Sequence, residues 1–432
     1  MIRTLLHLTL AATLLILSQG TALAQERVYI DIDSPSFQKF PIAVTDFNRL
    51  SPPSGEDLTV WFSNTLSSYL NMTGYFNMIS KSAFLETPAP PPQGYEKINY
   101  PNWSVIGAEY LVRGTYRQSA SQLSVEMRLY DVIKGQPLHG ARYTGRAEDR
   151  VALVRKMAGD ILQALTGDGG IFGTRIAFVA KKGKNTELRT IYFDGTSQAE
   201  VTAFQSLTLA PRWSPDGRYL SFTSYKEGNP NFYIRDMRSG VTREVSRRPG
   251  LNLSGAWSPD GREVLLTLSF EGNQEIYRMD AGSGQIKRLT FNHDIDVSPA
   301  WSPDGKQIVF VSNRSGSPQI YIMDREGANA KRLTFEGNYN TSPSWSPRGD
   351  RIAYEGSVGG VFQIFTIQAD GSGAVQLTQN GGKYPAWSPD GRYLAFAARS
   401  GWAEKVAVMN ANGTNLRILG DGSHPAWSPK MD

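Results

Sequence analysis

The chain of 432 residues contains no cysteine and only four histidines, and after its first stretch it has no long apolar run. Without cysteine, anchoring through a lipidated cysteine is excluded. The absence also suits an oxidising compartment, although many cytosolic chains lack cysteine too. Histidine is as scarce. Beyond His7 the histidines are His139, His293 and His424, far apart in sequence, and no His-Glu-x-x-His zinc motif occurs. No window matches the Gly-x-Ser-x-Gly elbow of a serine hydrolase, and there is no room for that domain. A phosphate loop and a Gly-x-Gly-x-x-Gly fingerprint are missing as well. The net charge of +5 is small for this length. With no nucleic-acid motif, nucleic acid is not an expected partner.

The apolar stretch at the start reads as a targeting segment, 1–24. Arg3 and the amino terminus supply its only positive charges, and Leu5 to Leu17 forms its apolar core. Thirteen residues are too few to span a bilayer, which takes about 20 in a helix. Ala22-Leu23-Ala24 provides the small residues of a cleavage site. The mature chain is therefore expected to begin at Gln25 and to be exported and soluble. Removing Arg3 takes the formal charge from +5 to +4.

What the second half does have is repetition. Trp-Ser-Pro recurs at Trp213, Trp257, Trp301, Trp345, Trp387 and Trp427, at steps of 44, 44, 44, 42 and 40 residues. A period near forty, built from short strands, points to the blade of a β-propeller. Asp-Gly follows in four copies (Asp216-Gly217, Asp260-Gly261, Asp304-Gly305, Asp390-Gly391), and Arg348-Gly349 keeps the turn in a fifth. Pro presets the turn dihedral, and Asp and Gly are favoured later in a type I turn. Strand-like runs follow each turn, such as Ile308 to Val311, and a second set recurs as in Ile320-Tyr321-Ile322. A third ends in a Leu-Thr-like pair with a strict 44-residue step: Val201-Thr202, Val245-Ser246, Leu289-Thr290, Leu333-Thr334, Leu377-Thr378. The Trp segment is the fourth strand.

The register predicts how the ring closes. Arg175 to Val179 resembles the strand after a Trp-Ser-Pro-Asp-Gly turn, yet no such motif precedes it, while Trp427 has almost nothing after it. Pairing the two closes six blades and removes the free sheet edges. Each motif Trp is then expected to pack between blades. Arg235, Arg238, Arg243, Arg247 and Arg248 form a basic cluster, read as a solvated blade edge protected from edge pairing.

Residues 25–168 are a separate α+β domain, ahead of the all-β six-bladed β-propeller at 169–432. Val28 to Asp33 alternates as a half-buried strand does, and Phe40 to Phe47 reads as another. Ser54 and Asp57 suggest a capping box before the stripe Leu58, Phe62, Leu66 and Leu70. A short strand at Tyr75 to Ile79 and a Pro-rich loop at Pro88 to Pro92 follow, with strands near 109–117, 122–131 and 137–145. An amphipathic helix runs from about Glu148 to Leu165 and is stopped by Gly167-Asp168-Gly169-Gly170.

No residue set reads as catalytic. His293 and His424 would make a thin site even if both sat near the ring axis. Asp side chains and backbone carbonyls lining a central channel leave room for a divalent cation, but no cofactor is called for. The residues just before each Trp vary while the Trp stays fixed, so they are expected to form one polar ring around one mouth: Thr208, Asn252, Ser254, Asp296, Asn340, Lys383 and His424. Such a ring suits protein recognition, although Asn, Asp and Ser are also ordinary turn residues. The competing reading is an exported propeller enzyme, a metal-dependent lyase or lactonase.

The Trp-Ser-Pro-Asp-Gly repeats, the preceding α+β domain, the export signal and the junction Gly170-Ile171-Phe172-Gly173-Thr174-Arg175-Ile176-Ala177-Phe178-Val179 together resemble the TolB family of the periplasmic Tol–Pal system. The resemblance covers essentially the whole mature chain. It implies a non-enzymatic periplasmic scaffold, monomeric and membrane-associated only through partners. One face of the propeller would bind the lipoprotein Pal, and the mature N-terminus would bind TolA. It further implies support of outer-membrane integrity and of constriction during cell division, contacts with other outer-membrane proteins, and exploitation by colicins in some hosts. Carried onto this chain, the TolA segment runs from Gln25 to Ser36, with Val28, Ile30 and Ile32 spaced for strand addition. The plainer alternative for that segment is an edge strand of its own domain.

Overall fold

The computed structural model describes residues 38–52, 55–86, 98–119 and 121–430. The expected targeting segment, the strand at Val28 to Asp33, the Gln25–Ser36 segment, Ser54 and the loop at Pro88 to Pro92 lie outside them.

The N-terminal domain is one mixed sheet. Strands β1 (Phe40–Val44), β2 (Asn48–Arg49), β3 (Phe76–Met78), β4 (Tyr110–Gln118), β5 (Gln122–Asp131) and β6 (Gln136–Arg146) take the order β3-β1-β4-β5-β6, with β2 against β4. Alternation sets the faces. Leu123, Val125, Met127 and Leu129 all point to one side and are fully buried. There they meet Phe62, Leu66 and Leu70 of α1 (Thr59–Met72) and Val154, Met157 and Ile161 of α3 (Arg150–Thr166). Each such burial contributes about 1.5–3 kcal/mol. The predicted strand through Phe47 stops at Val44, because Phe47 turns into this core. Its ring lies so close to Gly114 that a Cβ there would stand 2.2 Å from Phe47 Cδ1. Asp57 satisfies the start of α1 by accepting from the Thr59 N–H at 2.9 Å. The short helix α2 (Tyr100–Val105) has too few turns to show a period and was not expected from sequence. Gly167 ends α3 in the left-handed conformation, φ +76°.

Six four-stranded sheets then form the propeller. Blade 1 is Thr208–Trp213, Tyr219–Ser224, Asn231–Asp236 and Thr242–Ser246, from the inside outward. Blades 2 to 5 repeat it. Blade 6 joins the two ends of the domain, with Ser423–Trp427 inside Arg175–Lys182, Asn185–Tyr192 and Ala199–Glu200. Ala426 pairs with Ala177 and Trp427 with Ile176, which is the predicted closure.

The motif residues are spent on the scaffold. In each Ser-Pro-Asp-Gly turn the Ser hydroxyl bonds the Asp carboxylate and accepts a backbone N–H, as Ser258 does from Glu263. The Thr of each Leu-Thr pair accepts the N–H that opens the neighbouring strand: Thr290 from Ile276, Thr334 from Ile320, Thr378 from Ile364, each at 2.9 Å. Several Trp indoles tie blade to blade. Trp387 donates to Ser344 O at 3.0 Å, Trp213 to Ala426 O at 3.1 Å, and Trp257 to Ser221 Oγ at 3.0 Å. The basic cluster sits on and beside the two outer strands of blade 1.

An antiparallel meander sorts its connections between two ends of the ring. The Trp-Ser-Pro turns and the turns joining third to fourth strands lie at one end. The loops joining second to third strands, and each blade to the next, lie at the other. The N-terminal domain packs on the first end. Arg155 of α3 bonds Asp194 there at 2.7 Å, Tyr393 donates to Thr73 O at 3.1 Å, and Arg392 lies 4.6 Å from the Tyr75 ring centre. Among the described residues of the N-terminal domain, none of these contacts reaches the second end, the free end of the ring.

Candidate functional site

The inner strands decide what the ring presents. Their side chains do not alternate simply, because each pairing carries a register shift, as between Val297 and Ala300 or between Thr341 and Ser344. The bulge holds the residue three before the motif Trp in the left-handed region in five inner strands: Ala210, Ser298, Ser342, Tyr384 and His424. Of these, Ser298, Ser342, Tyr384 and His424 line the axial cavity. The first residues turn into the blades.

This corrects four of the seven expected mouth residues. Thr208, Asn252, Asp296 and Asn340 are at most 3% exposed. A buried polar side chain must be bonded internally, and these are. Thr208 meets Ser224 Oγ at 3.1 Å, and Asn252 accepts from Ser246 at 2.7 Å and donates to Arg248 O at 2.7 Å. Asn340 donates to Gln319 at 2.8 Å. Asp296 pairs with Arg314 at 2.8 Å and accepts from Asn292 at 2.6 Å. Burial pushes the Asp296 carboxyl up, against the pull of its bonded neighbours. These residues fasten blade to loop and do not face a partner.

The other three are half-buried and partly accessible. Ser254 approaches Ser221 Oγ at 3.3 Å, and Lys383 pairs with Glu404 at 3.0 Å. His424 stacks on Tyr384 with ring centres 3.5 Å apart, and its Nδ1 lies 3.1 Å from Ser423 Oγ. Burial, with Arg212 and Lys383 nearby, lowers the His424 pKa to about 3, so the ring is neutral at physiological pH. His293 lies exposed in a loop at the free end and does not join His424 in the channel. Among the described residues no group of three or more His, Asp or Glu is placed to hold a metal ion.

The free end carries what the polar-ring reading missed. Phe291 and Phe335 are each 73% exposed, and Trp402 is fully exposed at a hairpin tip. Ile295, Tyr339 and Val358 are exposed beside these loops. The guanidinium of Arg288 sits 4.9 Å from the Phe291 ring and that of Arg332 5.1 Å from Phe335, holding both rings up. Tyr339 meets Phe362 edge-to-face at 5.4 Å, and Lys383 Nζ is 6.0 Å from Phe362, so the apolar rim runs inward to the mouth. A signal existed. After the Leu-Thr pair the other blades place Ala203, Arg247 and Gln379, whereas blades 2 and 3 place Phe at a loop position.

Known proteins share this arrangement. Residues 162–431 match the family described as TolB beta propeller domain, and residues 28–138 match the TolB amino-terminal domain. The chain is similar to the Tol-Pal system protein TolB of Syntrophus aciditrophicus, 48% identical over 226 residues, covering 51% of this chain and 50% of that protein. It is also similar to the Tol-Pal system protein TolB of Desulfosudis oleivorans, 39% identical over 236 residues, covering 53% and 52%. The chain spans about half the length of these curated relatives in the matched regions. The crystal structure of TolB from Acinetobacter baumannii superimposes with a TM-score of 0.77 at 30% identity, covering 91% of this chain and 97% of that one. No helix among the described residues is long and apolar enough to cross a membrane. With both domains matched, in this order, across the described fold, the chain belongs to the TolB family.

Proposed function

We propose that this chain is a periplasmic, non-enzymatic scaffold of the Tol–Pal system that binds Pal through the free end of its propeller and TolA through its mature N-terminus. The observation that carries the reading is the exposure of Phe291, Phe335, Tyr339 and Trp402 at the end of the ring opposite the contacts of the described N-terminal domain. Exposed aromatic residues with a polar surround mark interaction surfaces, and aromatic anchors contribute most of the binding energy there. Lys383 and His424 at the mouth supply polar contacts inside that rim. The TolA segment, Gln25 to Ser36, is spaced to add a strand to a partner sheet. Together the two contacts link the outer membrane to the energised inner-membrane complex, in support of envelope integrity and constriction.

The test separates the two sites. Deleting residues 25–36 should abolish TolA binding and leave Pal affinity within about twofold, as expected of sites with little coupling (about 0.4 kcal/mol). Calorimetry with each purified partner reads both. Retained TolA binding would overturn the assignment of the segment, and loss of both would show that the two sites are one.

A further inference from the structure

Among the described residues, the channel is lined by a cation that no ion pair of the ring uses. The residue just before each motif Trp faces the cavity, which measures about 370 Å³. In five blades that residue is small: Ala256, Ala300, Ser344, Ala386 and Ala426. In blade 1 it is Arg212. Its Nη1 donates to Pro211 O, the carbonyl beside it, at 2.8 Å. Among the described residues no carboxylate forms an ion pair with Arg212; Lys383 takes Glu404, and Glu355 accepts the Tyr384 N–H at 2.7 Å. Burial alone shifts the guanidinium, and it shifts it downward.

Arg212 is half-buried in the channel wall, and a guanidinium partly withdrawn from water gains from an anion that meets it. Its planar fork matches a carboxylate with two parallel bonds. Around it the cavity offers Ser298, Ser342, the Tyr384 ring and a neutral His424. The volume falls in the range of small-molecule sites. We infer that the propeller channel is a carboxylate-binding site, with Arg212 as its anchor and the inner-strand residues Ser298, Tyr384 and His424 as its walls. The carboxylate has two possible sources, a small free carboxylic acid or an acidic side chain of a protein docked on the mouth. The second source rests on the Pal reading above, and the first does not.

Arg212→Ala is a mild probe, since Ala already occupies this position in four blades. Titrate succinate into the full-length protein and into Arg212→Ala at constant ionic strength, with chloride as the control. Follow heat and the His424 ring resonances. Saturable succinate binding to the wild type, weakened at least tenfold in Arg212→Ala, is the expected result for a free acid. An anion beside Arg212 should also raise the His424 pKa, which a purely structural role for Arg212 would not do. In the second arm, measure Pal affinity for both proteins. No succinate binding together with at least tenfold weaker Pal binding by Arg212→Ala assigns the carboxylate to the docked protein. Equal succinate binding by both proteins, or no effect in either arm, overturns the inference.

Discussion

Replacing Arg155 with Ala should destabilise the protein by about 3–5 kcal/mol, the cost of stranding one member of a buried ion pair. Arg155 and Asp194 are 7% and 3% exposed, so solvent screens them little. The pair joins α3 to blade 6, and Tyr69 of α1 and Thr196 bond into it. Burial alone would push the Asp194 carboxyl up. Hydrogen bonds from Arg155, Thr196 and Tyr69 outweigh burial and hold it below its ordinary value. The stabilisation is therefore fully present above the unfolded carboxylate pKa, near 3.9. It is lost as the pH falls through the lower folded value. Calorimetry at pH 7 should show the domains of Arg155→Ala melting separately. The difference from wild type should narrow as the pH falls through and below the ordinary carboxylate range, as Asp194 becomes protonated first in the variant and then in the wild type.

Removing the final strand should have a still broader effect. Ending the chain at Gly422 deletes Ser423–Trp427 and leaves Arg175–Lys182 as an unpaired edge. Trp427 also packs on Phe193 and Tyr393 in the core shared by both domains, with its indole bonded to Thr174 Oγ1 at 2.8 Å. Loss of a buried Trp side chain alone costs about 3–5 kcal/mol. Typical domains have only about 5–15 kcal/mol in total. The truncated protein is thus expected to be aggregated or oligomeric, since an open apolar edge recruits other chains. Ending the chain at Pro429 instead removes one exposed pair, Lys430 with Asp168, worth at most about 1 kcal/mol. Size-exclusion chromatography with light scattering should find that second truncation monomeric and the first not.

The ring was legible because its determinants are local and repeated. Ser302 and Asp304 close a turn within three residues, so the motif reports the turn directly. The unmatched run at Arg175 and the unfinished copy at Trp427 disclosed the closure for the same reason. The mouth was harder to read. A strict period-two reading places Asp296 and Asn340 beside the axis, but the bulge at Ser298 and Ser342 turns them into the blade. Side-chain direction at a bulge depends on a positive φ that no residue-type pattern here announces, since Ala, Ser, Tyr and His all occupy it. Phe291 and Phe335 carry no periodic signal of their own: they follow the short basic edge strands Ile286–Arg288 and Lys331–Arg332, where the chain has already left the sheet. Arg212 stands out only against the small residues that precede the other five motif tryptophans.

Trp-Ser-Pro and its turn hold the scaffold, and recognition is assigned to loops at the far end. The most direct test is Pal affinity for Trp402→Ala and for the double variant Phe291→Ala/Phe335→Ala, measured by calorimetry beside an unfolding curve for each. Binding should weaken at least tenfold, about 1.4 kcal/mol, while the unfolding midpoint stays within a few degrees of wild type. Full Pal affinity in both variants would contradict the placement of the Pal site on the free end of the propeller.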